Sequence, residues 1–217
     1  MRAAGILVLC LFSSILSTVT SLKCQQCVNV GIECKEENVK VVECKEDEEF
    51  CSTVLGNSSI AKIPVSSIIK ECATREACWD GLYSTTTVDG RFNIARGNCC
   101  QTDLCNAEPL PLENYEDFQP NGLQCPGCFA LDEDSCEANQ SVACVGEQDL
   151  CITITHKTVA EFPPLGSFSE KTTHQGCTTK SSCSFRPGYS KMAGGLIHMN
   201  VTILECRNAS SSEPDHQ

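Results

Sequence analysis

The spacing of the cysteines constrains this chain of 217 residues more than any other feature. Ten cysteines lie between Cys24 and Cys105, and eight lie between Cys125 and Cys206. Eight positions of the two sets superpose with small changes in spacing when the second set is shifted back by the 101 residues that separate Cys24 from Cys125. Both sets also open on a Leu-x-Cys-x-x-Cys pattern. The spacing therefore indicates an internal duplication and two domains.

Each duplicated unit is shorter than about 100 residues, which is small for a domain that relies on an apolar core alone. Disulfides would offset this, since each one that closes a loop of about 15 residues stabilises a fold by roughly 3 kcal/mol. The pairs Cys24-x-x-Cys27 and Cys125-x-x-Cys128 have another interpretation as half zinc sites or redox motifs. That interpretation requires reduced thiolates, which an exported chain does not favour.

The two ends of the chain predict its location. Residues 1–21 combine Arg2 with an apolar run from Ile6 to Leu16 and small residues before Leu22, which is the pattern of a signal peptide. The alternative is a buried N-terminal helix. Cleavage would remove Cys10 and leave 18 cysteines, an even number that fits complete pairing in an oxidising compartment. Residues 208–217 form a polar tail without the hydrophobic segment of a lipid anchor, so we expect a secreted, extracellular protein with no membrane anchor.

Charge and motifs exclude several functions. The formal net charge of −12 makes nucleic acid an unsuitable partner, because phosphate neutralisation requires clustered Lys and Arg. The four histidines have no metal-ligand spacing, and neither His-Glu-x-x-His nor Gly-x-Ser-x-Gly occurs. We therefore predict no catalytic residues, no metal and no cofactor: the protein is not an enzyme.

The segments between the cysteines alternate in the manner of β-strands. Leu196–Cys206 is the clearest example, with Ile197, Met199, Val201 and Ile203 predicted to share one face. Asp89-Gly90 lies between two further strand patterns and is a strong signal of a hairpin turn. The sequence therefore predicts an all-β, disulfide-rich fold.

The segment Asn98-Cys99-Cys100-Gln101-Thr102-Asp103-Leu104-Cys105-Asn106 resembles the ending of three-finger domains in the urokinase-receptor and snake-toxin superfamily. The resemblance implies two tandem three-finger domains at 22–107 and 122–207, joined by an acidic, proline-containing connector at 108–121. The second domain lacks the last cysteine pair and the terminal Asn. The resemblance, not the spacing, implies the pairs Cys24–Cys51, Cys27–Cys34, Cys44–Cys72, Cys78–Cys99, Cys100–Cys105, Cys125–Cys151, Cys128–Cys136, Cys144–Cys177 and Cys183–Cys206.

Two domains, a truncated second unit and the junction Pro120–Cys128 are similar to the gamma-type phospholipase A2 inhibitors of serum and their secreted vertebrate relatives. The resemblance implies an inhibitor whose protein partner is a secreted phospholipase A2, whose lipid-facing or active-site surface it would mask. The alternative is a soluble urokinase-receptor-like protein that binds another ligand or acts in adhesion. Assembly into a homo-oligomer remains open in both cases.

The connector is the candidate contact. The resemblance assigns partner binding to Pro109, Leu110, Pro111 and Leu112, and the apolar character of Tyr115 and Phe118 adds these two residues. Prolines favour an extended backbone that loses little entropy on binding. The connector also contains four acidic residues and no basic one, which suits a basic partner. Its other interpretation is a semi-rigid spacer whose apolar residues pack between the domains.

Four Asn-x-Ser/Thr sequons are candidates for N-glycosylation in an exported chain. They begin at Asn57, Asn139, Asn200 and Asn208.

Overall fold

A computed structural model of the protein describes residues 21–60, 64–162 and 166–211. The predicted signal peptide, apart from residue 21, and the end of the polar tail lie outside the described residues. The chain forms antiparallel strands and short 3-10 turns, so the expectation of an all-β fold is confirmed. The strands are β1 Lys23–Val30, β2 Lys40–Glu43, β3 Phe50–Ser58, β4 Val65–Ala73, β5 Gly81–Thr87, β6 Phe92–Cys100, β7 Pro120–Leu131, β8 Gln140–Val145, β9 Leu150–Phe162, β10 Gly166–Thr178, β11 Gly188–Met192, β12 Ile197–Asn208 and β13 Ser210–Ser211.

The helical elements are 3-10 turns of three to five residues, and no helix in the described ranges is long and apolar enough to cross a membrane. They are Glu36–Asn38, Val88–Gly90, Cys105–Ala107, Tyr115–Asp117, Lys180–Ser184 and Ala193–Gly195.

Nine disulfides hold the strands, and they join the same pairs that the family resemblance implies. Buried cystines form the centre of each domain's core, around Cys24 and Cys51 in the first and Cys125 and Cys151 in the second. The two Cys-x-x-Cys motifs supply different disulfides, so their sulfurs are not thiolates that could bind zinc.

One sheet runs through both domains in the order β11-β12-β9-β10-β5-β6-β3-β4-β1-β2. Strand β7 also pairs with β10, and β8 and β13 pair with β7. The joint between the domains is the antiparallel pairing of β5 with β10, where Thr86 lies opposite Cys177. Gly176 permits this close approach, because a Cβ at that position would lie 2.0 Å from the carbonyl oxygen of Thr86. Substitution of Gly176 would therefore push the two domains apart.

A network of buried polar side chains closes the same joint. Gln148 is fully buried, and its Nε2 donates to Ser84 Oγ at 2.8 Å and to Thr86 Oγ1 at 2.9 Å. The hydroxyl of Thr87 donates to the carbonyl oxygen of Gln175 at 2.6 Å and lies 3.0 Å from that of Cys128. Because buried polar groups are costly unless they are paired, this network fixes the register of the two domains.

Local details confirm one turn prediction and correct one strand. Asp89 and Gly90 both have positive φ, 59° and 66°, as a type I′ hairpin turn requires. The prediction that Ile203 shares a face with Val201 is wrong, because β12 has a register shift between these residues. The bulge turns Ile203 towards solvent and brings Leu204 to the face that Val201 occupies.

Candidate partner-binding site at the connector

Two buried side chains of domain 1 hold the start of the connector. Asn106 accepts a hydrogen bond from Gln25 N and donates to the carbonyl oxygens of Gln25 and Ser52. The ammonium of Lys70 donates to the carbonyl oxygen of Ala107 at 2.9 Å and to Gln25 Oε1 at 3.4 Å. These contacts direct the chain from the last turn of domain 1 across the outer face of its sheet.

Burial lowers the pKa of Lys70, and the negative charge of Glu108 opposes that shift. Sequence patterns did not identify Lys70 as part of the site, although it lies on β4 with Ile68 on the same side two residues before it. Only the pairing of β4 with β1 and β3 reveals that this side faces the connector.

The segment Pro109–Leu112 lies along a groove of about 890 Å³ on this outer face. Leu55 and Ile68 are buried in the floor of the groove. Pro109 and Pro111 are exposed, and Leu110 and Leu112 are half-buried. The structure therefore brings together the four residues assigned by resemblance, with prolines at the surface and leucines partly available.

Tyr115 and Phe118 lie in a different environment. The ring of Tyr115 stacks on Phe92 with centroids 4.0 Å apart, and its hydroxyl is hydrogen-bonded to Thr86. Phe118 packs edge-on against Tyr115 and lies beside Gly146 of domain 2. These contacts fit the alternative in which apolar connector residues pack between the domains.

The end of the connector also joins domain 2 by hydrogen bonds. Strand β7 begins at Pro120, within the predicted connector, and pairs with β8 there. The side-chain amide of Asn121 donates to the carbonyl oxygens of Gly146 at 3.0 Å and Gln148 at 2.8 Å. Both ends and the aromatic middle of the connector are thus fixed, and Pro109–Leu112 is the part of it that lies along the groove.

The rim of the groove is acidic. Glu33, Glu36 and Glu113 line it and are exposed, and Glu108 lies next to Pro109. Glu113 also forms an ion pair with Arg96 on β6. An apolar floor with a carboxylate rim is complementary to a partner surface that combines apolar side chains with Lys or Arg.

The four sequons differ in access. Asn139, Asn200 and Asn208 are exposed, whereas Asn57 is half-buried on β3, between β4 and β6, and lines the groove. The first three positions leave room for a glycan in water.

The fold defines a class of protein built from two disulfide-rich, three-finger domains in tandem. Residues 121–214 match the u-PAR/Ly-6 domain family, and residues 22–107 match the phospholipase A2 inhibitor family.

Individual phospholipase A2 inhibitors are similar in sequence to most of this chain. Phospholipase A2 inhibitor NAI of Notechis ater is 31% identical over 180 residues, which cover 83% of this chain and 85% of that protein. A gamma-type phospholipase A2 inhibitor of Laticauda semifasciata is 32% identical over 165 residues, 75% and 84% of the two chains. Phospholipase A2 inhibitor CNF of Crotalus durissus terrificus is 31% identical over 207 residues, 93% and 94% of the two chains. This chain therefore belongs to the phospholipase A2 inhibitor family, whose named members are inhibitors and not enzymes.

Proposed function

We propose that this protein is a secreted inhibitor that binds a secreted phospholipase A2 and masks the surface with which the enzyme meets lipid. Relatives named as phospholipase A2 inhibitors, aligned over most of the chain, support the identity of the partner. The observation that carries the proposed contact is the acidic-rimmed groove, along which Pro109 and Pro111 are exposed and Leu110 and Leu112 are half-buried. Export is supported by the sequence of residues 1–21 and by nine disulfides, which persist in oxidising compartments.

The mechanism requires no chemistry from the inhibitor. Anionic lipid attracts Lys and Arg, so an enzyme that works on such a membrane benefits from a basic face around its apolar contact surface. The carboxylates of Glu33, Glu36 and Glu108 would attract the same face, and the leucines of the connector would cover its apolar part. A covered enzyme cannot reach aggregated lipid even when its catalytic residues are intact.

Hydrolysis of anionic phospholipid vesicles by a panel of secreted phospholipases tests this function. We expect the protein to suppress hydrolysis by at least one basic enzyme at equimolar or modest excess, and to suppress hydrolysis of a soluble short-chain substrate less. If no enzyme of the panel binds or is inhibited, the function is wrong, and the alternative of a soluble urokinase-receptor-like ligand-binding protein takes its place.

A double variant tests the contact within that function. Leu110→Asp with Leu112→Asp should reduce inhibitory potency at least about ten-fold, because burying an apolar side chain contributes roughly 1.5–3 kcal/mol and a buried charge adds a desolvation cost. The matched control is Val41→Asp with Ile203→Asp, which adds the same charge at exposed apolar positions on β2 and β12. Equal potency of the double variant and the control would place the contact elsewhere, provided that both retain the circular dichroism of the wild type.

A further inference from the structure

The inner face of the sheet, opposite the connector, surrounds a cavity of about 480 Å³. Strands of both domains line it, because the sheet curves until the tip of the β11–β12 hairpin reaches β4. There the backbone N–H of Gly194 donates to Glu71 Oε2 at 2.9 Å. The volume falls within the range of small-molecule sites, roughly 300–1,000 Å³.

The walls of this cavity are predominantly apolar. Alternate residues of β9 and β12 face it, among them Ile152, Ile154, Met199 and Val201. One part of the wall is an aromatic cluster, in which the ring of Trp79 lies 4.5 Å from Phe185 and 5.5 Å from Tyr83. No Lys or Arg occurs among the lining residues that the structure describes. Such a surface suits an alkyl chain.

A polar spot interrupts the apolar wall. His174 is buried on β10, and its Nδ1 has no hydrogen-bond partner within the described part of the chain. The ring of His156 lies 6.1 Å away and is hydrogen-bonded to Thr172 Oγ1. Burial, with the neighbouring His156 as a smaller cause, lowers the pKa of His174 to about 3, so its imidazole is neutral at physiological pH. A neutral imidazole donates through one nitrogen and accepts through the other, and a partnerless one is costly to bury.

We propose that this cavity binds a neutral single-chain lipid, whose alkyl chain lies along Ile154 and Met199 and whose hydroxyl or carbonyl group pairs with His174. An anionic lipid fits less well, because moving a charged headgroup from water to a mostly apolar wall is costly. A peptide also fits less well, because each of its residues would bring an N–H and a C=O that require partners on a mostly apolar wall. The site lies on the opposite face of the sheet from the proposed phospholipase contact and does not depend on it.

Trp79 provides the test, because it is the only tryptophan of the chain and lines the cavity. A monoacylglycerol with a dibrominated acyl chain, added below its aggregation concentration, should quench the emission of Trp79 in a saturable manner. The unbrominated monoacylglycerol should compete, and the dibrominated fatty acid at about pH 8 should bind at least about ten-fold more weakly. Absence of saturable quenching, or equal affinity for the fatty acid, would overturn the proposal. The proposal is also overturned if an apolar peptide changes the emission of Trp79 and no lipid does.

A pair of identical substitutions locates the ligand. Thr158→Phe places a ring in the cavity and should weaken monoacylglycerol binding at least about ten-fold. Thr153→Phe is the matched control on the same strand, where it faces the other side of the sheet and should leave affinity unchanged. Equal affinities of the two variants would mean that the lipid binds elsewhere and would refute the site.

His174→Phe tests the polar contact while keeping a flat ring in the wall. Loss of one hydrogen bond should weaken monoacylglycerol binding about five-fold. The affinity for a simple alkane of equal length, measured by competition, should not change, because an alkane makes no hydrogen bond. Unchanged affinity for the monoacylglycerol would overturn the assignment of His174 as the headgroup partner.

Discussion

The two faces of the continuous sheet use neighbouring residues for opposite purposes. On β4, Ile68 and Lys70 face outwards to the groove beneath the connector, while Val65 and Ser67 face inwards to the cavity. The outer face is open, crossed by the connector and rimmed with carboxylates. The inner face is apolar, and its ionisable groups include the buried His174 and the half-buried His156.

This difference follows from the period of two residues in a β-strand. The outer face keeps charged groups because they remain near water or near backbone carbonyls, as Lys70 does with Ala107. The inner face keeps its histidines neutral, since burial penalises the charged imidazole. We therefore expect pH to change stability mainly through the inner face, and salt to change partner binding mainly through the outer face.

Acid should produce the largest effect, and it should do so through the inner face. Burial lowers the pKa of His156 from 6.5 to about 4 and that of His174 to about 3. The unfolded chain takes up protons as the pH falls below 6.5, while the folded chain does not, so stability should fall with decreasing pH in that window. We expect a loss of roughly 2–4 kcal/mol between about pH 6.5 and about pH 5. Urea unfolding at each pH, with the disulfides intact, measures it.

The double variant His156→Gln with His174→Gln is the comparison for that experiment. Its free energy of unfolding should depend much less on pH in the same window, because glutamine does not titrate at either position. A wild-type slope that the double variant retains would contradict the neutral state of the inner face.

An intermediate effect is expected where the connector packs on the outer face. Tyr115→Ala removes the stack on Phe92, the contact with Phe118 and the hydrogen bond to Thr86, and should cost about 2–3 kcal/mol of unfolding free energy. Tyr115→Phe removes only the hydroxyl and should cost about 1 kcal/mol.

Leu110→Ala, in the accessible half of the connector, is the control for both and should cost less than about 1 kcal/mol. Chemical denaturation of the three variants makes the comparison. A larger loss of unfolding free energy from Leu110→Ala than from Tyr115→Ala would contradict the expectation that Tyr115 contributes more to stability than Leu110.

Sequence reasoning was most successful where cysteines and turns fix the backbone. The class of fold and the Asp89-Gly90 turn follow from local patterns that no distant contact overrides. The histidine pair was missed, because it depends on the register of β9 with β10, which the disulfide pairs do not state. Once Cys151 is placed opposite Cys177 in an unbroken antiparallel pair, His156 lies opposite Thr172, and His174 is its diagonal neighbour.

Other features could not be predicted because they depend on tertiary contacts. The connector offers apolar residues at similar spacing, and only the folded position of Phe92 decides that Tyr115 stacks on it while Leu112 lies along the groove. The bulge that turns Ile203 outwards interrupts a regular alternation without any Gly or Pro to mark it. The need for glycine at position 176 also cannot be predicted from the sequence, because it arises only from the close contact with Thr86 on β5.

Salt should produce the smallest effect, and it should act on the outer face. If the carboxylates of Glu33, Glu36 and Glu108 guide a basic phospholipase, raising NaCl from about 50 mM to about 500 mM should weaken the complex a few-fold, because exposed charges are screened. The triple variant with Gln at these positions should bind a few-fold more weakly at low salt and respond less to added salt.

A triple variant of Glu46→Gln, Asp47→Asn and Glu76→Gln makes the same change in net charge at exposed positions outside the groove and should retain the salt response of the wild type. Binding to an immobilised phospholipase, measured without vesicles, avoids the effect of salt on the membrane itself. If both triple variants lose the salt response equally, net charge rather than the groove guides the partner, and the acidic rim has no specific part in recognition.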